Sequence, residues 1–237
     1  MGLIMCWSPG ADAVAGAVVA SVGVVTLVVA RRGRDRVLGA LPLLLGVHQL
    51  VEAVVWLDTQ GRVSAGVGQA AVVAWAVIAF VVLPTLVPVG VLVADWPRGR
   101  WRVGVCAGVG VVVSVSMAVQ LGVLGVSAQA HGRVLEYGIG LTTEATLVLV
   151  GAYLVATLGA PLLSADRYLR WFGVVAFAGA AGCGVAWRLA FASTWCAFAA
   201  VVSVMLLVWA WRGGARSPGP SDGGARSVDA GRGVQAG

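Results

Sequence analysis

Apolar residues run in blocks of about twenty along this chain, and the blocks are separated by short polar or arginine-bearing stretches. A helix needs roughly 20 apolar residues to cross the hydrocarbon core of a bilayer, so each block has the length of one crossing. Seven such segments are expected, at about 11–30, 37–57, 70–94, 103–126, 142–163, 171–191 and 195–211. The fold class this predicts is all-α: a polytopic membrane bundle of seven transmembrane helices.

Several punctuating residues support the helix starts. Ser8-Pro9 suits an N-cap followed by proline at the first helical position, with Asp12 near the positive end of the helix dipole. Thr142 or Thr143 with Glu144 opens the fifth segment in the same way, and Ser193 or Thr194 the seventh. Pro84 and Pro88 should bend or unwind the third segment, because each removes a backbone donor. Gly104 with Gly108, and Gly179 with Cys183 and Gly184, offer small faces for close packing.

Composition agrees with the pattern. Hydrophobic residues make up 59% and charged residues 11% of 237, with mean hydropathy +0.94, whereas a soluble domain carries roughly 25% charge. All 16 basic residues are arginine. They cluster at 31–36, 98–102, 167–170 and 212–216, after the first, third, fifth and seventh segments, while the intervening loops hold only Arg62 and Arg133. Basic loops stay cytoplasmic, so the amino terminus is expected outside and the carboxyl terminus inside. The same clustering explains the net charge of +6 without nucleic acid as a partner; membrane lipids are the expected surroundings.

Three regions follow: an extracytoplasmic amino terminus at 1–10, a seven-helix domain at 11–211, and a tail at 212–237. The tail is rich in Gly, Ser, Arg and Pro and repeats Gly-Gly-Ala-Arg-Ser, a composition expected to stay disordered in the cytoplasm. No basic residue precedes the first segment, so that segment is expected to act as an uncleaved signal.

Candidate chemistry gathers toward the outer ends of the helices. His48 and Glu52 lie one helical turn apart inside the second segment, and Leu45, His48, Glu52 and Trp56 share one stripe. Glu52 should sit roughly 7 to 8 Å below the outer end near Leu57, at 1.5 Å per residue. Arg188, next to Trp187, reaches a similar depth from the sixth segment, and His131 and Glu136 lie in the loop that faces the same side.

Ionisable groups in hydrocarbon have a function or a partner. Glu52 beside His48 could serve as a general base while Arg188 holds a phosphate or carboxylate, with Trp56, Trp187, His131 and Glu136 as binding residues. His48 and Glu52 could instead ligate a divalent metal such as zinc, which needs further ligands that two histidines do not supply. Two other readings stand beside a binding or hydrolytic site for a lipid or small anion. One is a proton-coupled carrier or channel, for which matching polar residues toward the cytoplasmic half are not evident. The other is a structural or partner-binding protein whose His/Glu/Arg cluster only locks the bundle. Cys6 and Cys196 both fall at the outer face, where a disulfide between them is chemically reasonable.

Met5-Cys6-Trp7-Ser8, the run from Ala40 to Trp56 that contains His48-Gln49-Leu50-Val51-Glu52, and Trp187-Arg188 followed by Ser193-Thr194-Trp195-Cys196 together carry a resemblance. The chain resembles an uncharacterised family of bacterial multi-pass membrane proteins that open with Met-Cys-Phe/Trp-Ser, over essentially all of Met5 to Trp211. The resemblance implies a fold in the bacterial cell membrane and a start at Met5, and it implies no activity.

Overall fold

A computed structural model of the chain describes residues 9–97, 100–131, 134–186 and 191–214. Among them the chain is mostly helical, and the helices join into seven rods. These are α1 (Pro9–Val29), α2 (Asp35–Gly39) leading into α3 (Leu41–Thr59), α4 (Ala65–Val77) continuing through a π-helical turn into α5 (Leu83–Asp95), and α6 (Arg100–Leu124). Next come α7 (Thr143–Leu154), continuing through a second π-helical turn into α8 (Ala160–Leu162), then α9 (Arg167–Ala186) and α10 (Phe191–Trp211). The seven segments expected from the apolar blocks overlap the seven rods; residues 187–190 of the sixth lie outside the described residues, and Phe191 begins α10. Five rods are long and apolar enough to cross a membrane: Pro9–Val29, Asp35–Thr59, Ala65–Asp95, Trp101–Leu124 and Thr143–Leu162.

The most extensive helix pair is α1 against α3. Its closeness comes from small residues. A methyl group added at Gly16 would lie 2.9 Å from the Gly46 carbonyl oxygen, one at Gly23 would overlap the Leu43 backbone, and one at Gly46 would overlap Ala20. Gly16, Ala20 and Gly23 form one stripe on α1, and Leu50, Gly46 and Leu43 oppose them in antiparallel order. Without a solvent-driven hydrophobic effect between helices in lipid, such backbone-to-backbone approach is a main source of association. The glycine pair expected on α6 plays no such part. Added methyls at Gly104 and Gly108 would meet nothing, whereas Gly110 touches the Pro84 carbonyl.

That contact follows from the prolines. Pro88 has no N–H, so the Pro84 carbonyl loses its helical donor, and Gly110 lets α6 close over it. The π-helical turn at Ile78–Val82 ends two residues before Pro84, and a second at Val155–Gly159 ends two residues before Pro161. The expected distortion of the third rod is thus a widened turn. Ser114 on α6 donates to the Val81 carbonyl at 2.6 Å and lies 2.7 Å from the Thr85 hydroxyl, tying the widened turn to α6.

One end of the bundle gathers the arginine-bearing turns. Arg34 Nη1 donates to the Trp96 carbonyl at 3.1 Å, joining the turn after α1 to the turn after α5. Asp95 Oδ2 accepts from the Ala165 N–H at 2.8 Å, bringing in the turn before α9. Asp166 Oδ1 caps α9 through Tyr168 N–H at 2.7 Å, and its Oδ2 accepts from Trp209 Nε1 of α10 at 3.3 Å. Gly214, with positive φ, rests against the Asp35 carboxylate. All four basic clusters therefore contribute to a single end, as the spacing of the arginines requires. The buried aspartates Asp35 and Asp95 at this end were not evident from sequence.

Two main cores stack along the bundle among the described residues, beside a small cluster of Leu158, Ala176 and Ala180. Near the arginine-bearing end, Leu38, Val91, Val103, Leu169, Phe172, Leu206 and Trp209 pack together. Toward the other end, Val55, Trp56, Val72, Trp75 and Ala76 pack with Val126 and Leu135. Exposed apolar residues such as Val14, Val18 and Val28 on α1 and Val112 and Val119 on α6 form outward faces that water would not favour.

Thr142 Oγ1 accepts from the Ala145 N–H at 3.3 Å with Glu144 in the first turn of α7, as expected. α10 starts at Phe191, which puts Ser193 and Thr194 inside its first turn. Gly46→Val should lower the stability of the detergent-solubilised chain by about 2 to 3 kcal/mol through overpacking. Gly104→Ala should leave it unchanged or raise it by up to about 1 kcal/mol, the helix-propensity gain. Thermal melts of the two variants check this, and a tolerated Gly46→Val contradicts the tight α1–α3 contact.

Candidate functional site

At the end opposite the arginines, α1, α3 and α4 enclose a set of buried polar side chains. The stripe expected on α3 is buried along its whole length, with Leu45, His48, Glu52 and Trp56 all inside. Gln49, on the neighbouring face, is buried as well. By rise per residue, Glu52 lies roughly 10 Å and His48 roughly 16 Å from the Thr59 end of α3.

The α1–α3 register completes the set. Gly16 opposes Gly46 and Leu50, and Gly23 opposes Leu43, so one further turn toward the start of α1 puts Asp12 opposite the last turns of α3. Asp12 is 3% exposed and interacts electrostatically with Glu52, which is 1% exposed. The Trp56 indole N–H faces Asp12 as a donor. It stops short of a hydrogen bond, leaving Asp12 Oδ2 and Trp56 Nε1 without hydrogen-bond partners among the described residues.

Aromatic rings wall the other side. Trp75 of α4 donates from Nε1 to Glu52 Oε2 at 3.4 Å, a long bond. Its ring lies 4.8 Å from the His48 ring and stacks on Tyr137 at 3.5 Å with planes 4° apart. Tyr137 belongs to a hairpin of β1 (Ser127–His131) and β2 (Val134–Gly138) that folds over this end, with Gln129 paired to Glu136 and Ala128 to Tyr137. Leu135 and Tyr137 point toward the bundle and Glu136 is exposed on the other face, because successive side chains of a strand alternate. His131 ends β1, paired with Val134.

The candidates thus divide. His48, Glu52 and Trp56 come together with Asp12, Gln49, Trp75 and Tyr137, while Glu136 faces away from them. Arg188, Trp187 and Cys6 lie outside the described residues, as does any pairing of Cys6 with Cys196. Sequence reasoning took Asp12 for a dipole-compensating residue. The stripe of Gly16, Ala20 and Gly23 on the same face as Asp12 was the signal that could have assigned it to a helix interface. Trp75 was hidden in an apolar run. The hairpin had a visible trace: apolar residues alternate at 126, 128 and 130 and again at 135, 137 and 139, around Gly132.

Chemically, the set presents two carboxyl groups, an imidazole and an amide in low dielectric, walled by indoles and a phenol. Among the described residues no three His, Cys, Asp or Glu side chains converge as a metal group. A metal on His48 and Glu52 would have to complete its roughly four ligands from elsewhere. Between the two ends, the buried Thr26 and Ser114 donate to carbonyls of the helices, at Val22 and Val81 respectively, and not to one another.

Several rods long and apolar enough to cross a bilayer, packed around buried polar groups, make this chain compatible with an integral membrane protein. It belongs to DUF6629, a family of unknown function, whose profile matches residues 5–221. No curated protein and no solved structure matches it.

Replacing Trp75 by Phe keeps most of the ring stack and removes the Glu52 donor. A loss of about 1 kcal/mol is expected, against within about 0.5 kcal/mol for Glu136→Ala. Urea or thermal unfolding in detergent reads both, and equal effects would mean the hairpin does not hold Tyr137 inward.

Proposed function

We propose that the chain is a seven-span protein of the bacterial plasma membrane, amino terminus outside and carboxyl terminus inside, whose outer-leaflet site binds an ammonium-bearing headgroup or small amine. The meeting of all four arginine-bearing segments at one end supports the orientation. On this reading residues 1–10 are extracytoplasmic, α9 and α10 complete the spans, and 212–237 form a cytoplasmic tail.

The observation that carries the binding reading is Asp12: a carboxyl group buried to 3%, beside Glu52, whose Oδ2 accepts no hydrogen bond from the described residues. A second carboxyl group alongside disfavours an anion at that spot and favours a cationic donor. The indole and phenol rings around it suit an ammonium, which is attracted to aromatic faces. This departs from the sequence reading, which expected a lipid or a small anion. Arg188, the basic residue expected at this depth, is the candidate for the phosphate of a zwitterionic lipid. His48 packs against Trp75 and orients the wall, which makes binding a better description than turnover.

Phosphatidylethanolamine added to the purified full chain should raise its unfolding free energy by about 2.7 kcal/mol at a hundredfold excess over Kd. Asp12→Asn should abolish the stabilisation by phosphatidylethanolamine. Undiminished stabilisation by phosphatidylethanolamine in folded Asp12→Asn would refute the ammonium reading. A reporter fluorescent only in the cytoplasm, fused after Trp211, should light up; a dark but folded fusion would overturn the orientation.

A further inference from the structure

The four arginines between α1 and α3 are not equivalent. Arg32 and Arg34 interact electrostatically with the buried Asp35 carboxylate, and Arg34 also donates to the Trp96 carbonyl. Arg36 is exposed, and its guanidinium has no hydrogen bond or ion pair among the described residues. It stands at the end of an open groove of about 440 Å³ whose other lining residues are Val24, Leu27 and Val28 of α1. Val28 is 77% exposed and Val24 more than half exposed.

We propose that this groove holds one anionic phospholipid of the inner leaflet, an acyl chain along Val24, Leu27 and Val28 and the phosphate on Arg36. A guanidinium matches a phosphate with two parallel donors. An arginine that served orientation alone could sit anywhere on the rim; this one borders an open apolar groove. Three of four lining residues are hydrocarbon, so a lipid fits the groove where a free phosphate would leave most of it bare. The attraction adds to the general pull of basic rims toward anionic leaflets. It rests on the membrane reading above and is independent of the Asp12 site at the other end.

Native mass spectrometry of the full chain released from detergent tests it, with phosphatidylglycerol, phosphatidylcholine of the same chains and inorganic phosphate as probes. The wild type should retain one phosphatidylglycerol in preference to phosphatidylcholine, and millimolar phosphate should not displace it. Arg36→Gln should weaken that binding about fivefold, the equivalent of about 1 kcal/mol per basic residue at the surface. Val28→Trp, at a position already facing outward, should fill the groove and weaken it as well, which keeps the test decisive if Arg36→Gln folds poorly. Arg102→Gln, another basic residue after the third rod, should leave binding unchanged. Undiminished phosphatidylglycerol in Val28→Trp or in folded Arg36→Gln, equal retention of phosphatidylcholine, or displacement by phosphate would each overturn the proposal. Asp12→Asn should bind phosphatidylglycerol like the wild type, so failure at the outer site and failure at this groove remain separable.

Discussion

The contact between α1 and α3 is the constraint on which the polar site depends. Glycine at 16, 23 and 46 lets two backbones approach where any side chain would hold them apart, and that closeness sets the register between the helices. The register then brings Asp12 beside Glu52 and Trp56. Burying a second carboxyl group is unfavourable in itself. Continuous backbone contact over several turns can hold it there, because sliding one helix by a residue would put Gly46 and Leu43 against the wrong partners.

The prolines make a related use of small residues. Each widened turn comes two residues before a proline, at Pro84 and at Pro161. Carbonyls released by missing donors need partners in a medium without water. Ser114 donates its hydroxyl to the Val81 carbonyl within the first widened turn, and Gly110 lets α6 pack closely over the Pro84 carbonyl. The distortion of α4–α5 therefore belongs to the packing of that helix against its neighbour.

The two ends of the bundle use charge differently. At one end, aspartates accept from backbone and indole donors and tie four turns into a knot, with Asp166 capping α9 and holding Trp209. At the other end, the carboxyl groups lie among aromatic rings under a hairpin, and Glu52 accepts from the Trp75 indole.

Much of the architecture was legible in the chain itself. Seven apolar blocks, the start of α7 at Thr142, the stripe of Leu45, His48, Glu52 and Trp56, and the common side of the arginine clusters all follow from local periodicity, capping and solvation. These depend on neighbours within a turn or on the surrounding solvent, so the sequence alone determines them. Asp12, Trp75 and Tyr137 entered the site only through contacts between elements: the α1–α3 register, the stack of α4 on the hairpin, and the alternation that turned Tyr137 inward and Glu136 outward. Gly110 displaced Gly104 and Gly108 as the close-packing position for the same reason, because which face of α6 meets α5 is decided by the shape of both helices. Interhelical register and facing are properties of pairs of surfaces, and a single strip of residues does not contain the partner.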